Sequence, residues 1–202
     1  MRKLVFFTLL SFGLFAQESP KKLDQVQGLP VGAKAPLSTL TDENNQALDL
    51  GAINKEETLL LVFYRGQWCP YCNRHLSALN DILDELKAEG VRLIAISPEK
   101  PEISKELKDE KKLSFGFAWD KDYQLSKAFD LAFLPPSLTR AKYNRILDAD
   151  LADAHGNELE LLPVPATYLI DKEGTILWRH FDPDYTERSK PEEILVILKA
   201  RS

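Results

Sequence analysis

The chain has 202 residues, 44% of them apolar and 28% charged, with a formal net charge of −5. That balance excludes a chain disordered throughout, and the length suits one domain with a core of its own. The acidic balance leaves no electrostatic footprint for nucleic acid, and having only two cysteines, Cys69 and Cys72, excludes a disulfide-stapled scaffold and any metal site needing more than two thiolates.

Arg2 and Lys3 precede an apolar run from Leu4 to Ala16, after which Gln17, Glu18 and Ser19 turn polar. Charge, then an apolar run, then a small residue is the order of an export signal, so residues 1–16 are expected to be removed after Ala16. The run is short for a membrane span of about 20 residues. The mature chain is therefore expected to be periplasmic or secreted, with no stable membrane association. Residues 17–30 are polar and read as a flexible tether, and residues 31–202 read as one domain.

Within that domain, Leu37 to Leu40 and Ala47 to Leu50 flank the turn residues Asp42 to Asn45, which predicts a hairpin. Leu59 to Tyr64 is a continuous apolar run, the pattern of a strand buried on both faces. Leu76, Leu79, Ile82, Leu83 and Leu86 then share one helical face, and Gly90 stands where a C-cap glycine belongs. Val91 to Ser97 is a second buried strand. Pro101 to Lys112 reads as a charged surface helix with proline in its first turn. Phe115 to Trp119 is a third strand, and Tyr123 to Phe129 one or two helical turns.

Leu131 to Pro163 is the least regular stretch, a loop, then a helix over Arg140 to Leu151, then a short strand near Leu159 to Leu162. Val164 to Asp171 and Thr175 to Phe181 flank Lys172-Glu173-Gly174 and predict an antiparallel hairpin. Pro191 to Ala200 is a terminal amphipathic helix. The alternation implies an α/β fold, a parallel core extended by antiparallel strands into a central mixed sheet flanked by helices.

Trp68-Cys69-Pro70-Tyr71-Cys72 lies between a buried strand and a helix. Cys69 is expected at or next to the N-cap and Pro70 at the first helical position. The free N–H groups and partial positive charge there favour a thiolate over a thiol. Two such cysteines, one helical turn apart, can attack an oxidised atom and then resolve the product as a disulfide. The pair is also half of a zinc site, for which His75, His155, His180 or carboxylates would have to supply the rest. Asp148, Asp150 and Asp153 read as a solvated loop face.

From about Val31 to Leu198 the chain resembles the peroxiredoxin-like branch of the thioredoxin superfamily, the alkyl hydroperoxide reductase/thiol-specific antioxidant (AhpC/TSA) family. The resemblance rests on Gly32-Ala33-Lys34-Ala35-Pro36, on Phe63-Tyr64 ahead of the cysteines, and on Leu169-Ile170-Asp171-Lys172-Glu173-Gly174. It implies a thioredoxin-like fold with an N-terminal β-hairpin extension. It puts Cys72 at the family's peroxidatic position, Cys69 where the family has threonine and Arg65 where it has proline.

In thioredoxin-like folds a cis proline faces the cysteines, and Pro165 stands at that place. The implied chemistry is thioredoxin-dependent reduction of hydrogen peroxide or organic hydroperoxides without a cofactor. Cys72 would become a sulfenic acid and condense with Cys69, a thioredoxin-like donor restoring the dithiol. Arg65 or Arg74 would replace the family arginine that has no evident counterpart, and Trp68 would face the substrate. A thiol–disulfide oxidoreductase acting on protein disulfides through Cys69 is the alternative, and a metal-binding module the more distant one.

Overall fold

The computed structural model describes residues 19–201. The export signal expected over residues 1–16 lies outside the described residues. Among the described residues, no helix is long and apolar enough to cross a membrane.

Among the described residues the main sheet has seven strands. β1 (Thr39–Asp42) and β2 (Ala47–Asp49) form the predicted hairpin, and α1 (Leu50–Glu56) follows. The hairpin turns where Asp42 Oδ1 accepts the N–H groups of Asn44 and Gln46, both at 2.8 Å. The sequence pattern does not predict α1, although Asp49 caps it by accepting the Ala52 N–H at 2.9 Å.

β3 (Thr58–Phe63), β4 (Val91–Ser97) and β5 (Gly116–Trp119) are parallel neighbours, and β8 (Ala166–Ile170) and β9 (Ile176–Phe181) add antiparallel strands. The order is β2-β1-β5-β4-β3-β8-β9, so β3 lies inside the sheet and is covered on both faces. Its side chains alternate between two cores, as a period of two requires. Leu60 and Val62, with Tyr64 just beyond, pack with α2 (Pro70–Asp81), α3 (Leu83–Ala88), α4 (Pro101–Lys111) and α8 (Pro191–Lys199). Leu59, Leu61 and Phe63 pack with α1 and α5 (Gln124–Ala128).

Several elements differ from the sequence reading. The helix after the cysteines is two helices, because Ile82 leaves the helical region at φ −106°, ψ 14°. There Asn80 Oδ1 accepts the Ser114 N–H at 2.8 Å, which ties the end of α2 to the loop before β5. Leu83 and Leu86 remain buried beyond the bend.

Between α5 and β8, two-residue strands β6 (Ala132–Phe133) and β7 (Leu162–Pro163) pair with each other. They close a lobe that holds α6 (Ser137–Ile146) and α7 (Leu151–His155) in place of the single expected helix. Left-handed backbone at Asp148 and Asp150 separates the two helices.

Within the segment read as a tether, residues 19–25 are exposed, whereas the stretch from Val26 to Leu29 is bonded to the body. Val26 is buried with Leu162 and Val164, and the Gly28 and Leu29 N–H groups bond the Asp130 and Phe129 carbonyls at 3.0 and 3.1 Å. Arg179 adds bonds to the Gln27 and Leu29 carbonyls at 3.0 and 2.7 Å. These contacts arise from residues a hundred or more positions away, which a local reading of polarity does not register.

The cysteine helix is held by its apolar face, so Leu76→Ala, at a fully buried position, is expected to lower the unfolding free energy by about 3 kcal/mol in a urea titration. Val196→Ala on the exposed side of α8 is expected to change it by less than about 0.5 kcal/mol.

Candidate functional site

β3 ends at Phe63, and after a short connection the chain enters α2 with Cys69 as N-cap, at φ −94°, ψ 106°, and Pro70 in the first turn. That connection is fixed by hydrogen bonds to its backbone. Cys69 N–H bonds the Gly66 carbonyl at 3.1 Å, Asn73 Nδ2 the Gln67 carbonyl at 2.8 Å, and Gln67 N–H the Glu99 Oε2 at 2.8 Å. Gly66 sits at φ +154°, and a Cβ there would collide with the Glu99 carboxylate and the Trp68 indole nitrogen. Any other residue there would force the Glu99 carboxylate or the Trp68 ring to move.

Both cysteines are reduced, and their relative exposures are 0% for Cys69 and 1% for Cys72. Cys69 is held down at about 6, first by a hydrogen bond from the Cys72 thiol, against the opposing effect of burial, then by the charges of Arg65 and Arg188. Cys72 is pushed up, chiefly by burial and then by its partner. The pair therefore carries one thiolate, on Cys69, stabilised by the proton on Cys72. Arg188 Nη2 lies 3.5 Å from Cys72 Sγ.

Arg65 is 3% exposed. Its guanidinium carbon lies 4.6 Å from the Trp68 ring centre, 4.9 Å from that of Tyr143 and 4.2 Å from that of Tyr185. Nη1 donates to the Tyr143 hydroxyl at 3.3 Å, while Nε has no partner among the described residues. Arg65 thus sits in an aromatic cage with Cys69 as the negative group it stabilises. Behind the loop, Glu99 is buried. Its carboxyl is raised to about 8, mainly by burial, with the Gln67 N–H pulling it down. Beside the cage lies an apolar cavity of about 270 Å³ lined by Arg65, Phe133, Tyr143, Pro165, Pro183 and Tyr185.

Of the residues singled out from the sequence, Cys69, Cys72, Trp68 and Arg65 come together, and Pro165 lines the neighbouring cavity. The Val164–Pro165 bond is trans, contrary to the cis proline that the resemblance implied. The backbone runs straight through it, since Val164 N–H is bonded to the Leu131 carbonyl at 2.9 Å and Ala166 already pairs with Phe63. An extended course through this bond does not need the less stable isomer. Arg74 is exposed and lies 4.5 Å over the Tyr71 ring, on the outer side of α2.

Among the described residues no three His, Cys, Asp or Glu side chains converge on a metal position. His75, the ligand candidate nearest in sequence, is bonded through Nε2 to Ser189 Oγ at 2.9 Å. The zinc reading thus lacks a third ligand. His155 is bonded to the Tyr123 hydroxyl at 3.0 Å.

Sequence reasoning missed Arg188, Tyr143, Tyr185 and Glu99. Arg188 lies in the charged run Glu187 to Lys190, with no periodicity to distinguish it. Glu99 carried the better signal, a carboxylate two residues past a strand buried along almost its whole length.

A sequence model described as the AhpC/TSA family matches residues 31–179. The chain is 26% identical over 157 residues to the thiol-disulfide oxidoreductase ResA of a Bacillus cereus strain, covering 77% of this chain and 84% of that protein. It is 31% identical over 101 residues to the peroxiredoxin Bcp of Escherichia coli (strain K12), covering 50% of this chain and 64% of that one, less than two thirds of the relative. Among solved structures, a peroxiredoxin-like protein from Aquifex aeolicus superimposes with a TM-score of 0.68 at 19% identity, over 87% of this chain and 90% of that one. With the family match spanning most of the chain and the thioredoxin-like fold agreeing with it, the chain belongs to the AhpC/TSA family.

Proposed function

We propose that the protein is a thiol-based peroxidase that reduces hydrogen peroxide or organic hydroperoxides through a dithiol/disulfide cycle, with Cys69 attacking and Cys72 resolving. The observation that carries this reading is Cys69 at the N-cap of α2 with Cys72 one turn inside, where the partner thiol and the charges of Arg65 and Arg188 lower the Cys69 pKa. The resemblance had given the attack to Cys72. Burial and the neighbouring Cys69 keep Cys72 protonated, and a thiol is a poor nucleophile.

The thiolate attacks one peroxide oxygen, the O–O bond breaks, and the other oxygen leaves as water or alcohol after taking a proton. Arg65 and Arg188 supply positive charge where the leaving oxygen becomes negative. The Cys72 sulfur then displaces hydroxide from the Cys69 sulfenic acid, and water leaves with the Cys72 proton. A dithiol donor attacks the Cys69 sulfur, and Cys72 departs and is reprotonated; the donor's second thiol then attacks the donor sulfur of this mixed disulfide, releasing Cys69 as a thiolate and leaving the donor as a disulfide. Glu99, mostly protonated at neutral pH because its carboxyl is raised to about 8, can return the proton to Cys72.

Enclosure of both sulfurs favours a substrate of a few atoms. A protein disulfide is the second reading, supported by the placement of Cys69 as the N-cap of a helix whose next turn carries the resolving thiol. The order of charged and apolar residues in positions 2–16 supports export. In an oxidising compartment the pair rests as a disulfide unless electrons are supplied, so a thioredoxin-like donor completes the cycle.

Stopped-flow oxidation of the reduced protein by peroxide checks the roles. Cys69→Ser is expected to abolish thiol oxidation. Cys72→Ser is expected to oxidise once, hold a sulfenic acid that dimedone captures, and fail to turn over. The reverse pattern would return the attack to Cys72, and oxidation no faster than free cysteine would move the function to disulfide exchange. The bimolecular rate is expected to rise about tenfold per pH unit below pH 6 and to level off above it, following the Cys69 value of about 6.

A further inference from the structure

We propose that Ser189 is a positioning residue for this site: by bonding both His75 and Thr167, its hydroxyl fixes the arm of residues 182–190 so that Arg188 rests on the Cys72 sulfur. The inference deepens the reading of Cys69 and Cys72 as the reacting pair and rests on it. It needs no decision between peroxide and disulfide substrates.

The arm joins β9 to α8 and contains no helix or strand. The arm touches the body through Tyr185, which packs on Arg65 and Tyr71, and through the Glu187 backbone, which bonds His180, while the hydrogen bonds within the arm are local turns. Asp184 N–H bonds Asp182 Oδ1 at 2.8 Å, and Thr186 N–H bonds Asp184 Oδ1 at 2.9 Å. Such bonds shape a loop without fixing where it lies on the body. Ser189, at 2% exposure, is the arm's one buried residue. Its Oγ lies 2.9 Å from His75 Nε2 and 2.9 Å from Thr167 Oγ1.

His75 stands one turn beyond Cys72 on α2, and Thr167 lies on β8, paired with Val62 of the central strand β3. One hydroxyl therefore references the arm to the helix that carries Cys72 and to the middle of the sheet. The next residue back along the chain is Arg188, whose Nη2 meets Cys72 Sγ. A buried hydroxyl with two buried partners is costly to leave half-satisfied, so the arrangement selects one placement of the arm.

Groups facing the cysteines are Arg65, Tyr64, Glu99 and Arg188, with His75 and His180 behind Arg188 and Asp182, Glu187 and Glu193 around His180. His75 is held down to about 3 by burial first and by Arg188 and His180 next, so it stays neutral through the working range. The anchor therefore does not titrate with the thiolate that it helps to set.

Iodoacetamide alkylation of Cys69 in the reduced full chain, followed by mass spectrometry across pH, tests the proposal. Because the Arg188 charge lowers Cys69, Ser189→Ala is expected to move the alkylation midpoint upward, in the same direction as Arg188→Gln. Ser189→Thr, which keeps the hydroxyl, is expected to restore the wild-type midpoint. The double variant S189A/R188Q is expected to match R188Q alone, since Ser189 acts only through Arg188. Thr167→Val removes one of the two anchoring bonds and carries the same expectation if S189A does not fold. An unmoved midpoint in S189A, or a shift that adds to that of R188Q, would overturn the proposal. The readout contains no peroxide, so failure of the peroxidase reading leaves this test intact, and the reverse also holds.

Discussion

The proton that Cys72 shares with the Cys69 thiolate is the interaction on which the rest of the site depends. Burial alone would push both thiols toward neutrality. With one proton between two sulfurs, burial costs the pair only a single charge, and Arg65 and Arg188 stand ready to offset it. The order of the motif follows. The first cysteine caps the helix and takes the charge, and the second, one turn inside, keeps the proton. Enclosure strengthens each of these effects, because water that would screen the charges is kept out.

The fold delivers that arrangement by sending each kind of residue from a different place. The central strand β3 supplies the floor, and the connection to α2 supplies Arg65, Trp68 and both cysteines. The lobe between β6 and β7 supplies Tyr143, and the arm after β9 supplies Tyr185 and Arg188. Three separated segments thus meet around one guanidinium. Cation–π contacts suit this role, because they hold Arg65 in place while leaving its charge uncancelled for the thiolate.

This division explains what could be read from the chain and what could not. The runs Leu59 to Tyr64 and Val91 to Ser97 are apolar almost without interruption, so burial on both faces and the parallel core were legible. The cysteine motif, its Pro70 and the preceding strand made the helix N-terminus legible too. The lobe was not, because its strands are two residues long and its helices are separated by left-handed aspartates. The cage was not legible either, since Tyr143, Tyr185 and Arg188 acquire their meaning only from distant packing. The resemblance puts the attack on Cys72, and the proposed exchange of roles rests on the burial of Cys72 and on the charges that favour an anion at Cys69. The chain's periodicity encodes neither.

The single thiolate of the reduced pair also has an electrochemical meaning. Stabilising Cys69 as an anion stabilises the reduced protein relative to its disulfide, which makes the disulfide the more avid electron acceptor. It also sets the stoichiometry of protons and electrons. Below about pH 6, where Cys69 becomes a thiol, two electrons bring two protons, and the midpoint potential falls by about 59 mV per pH unit. Above that pH only Cys72 takes a proton, and the slope halves to about 30 mV. The same charge that readies the site for attack makes its electron affinity less dependent on acidity across the neutral range.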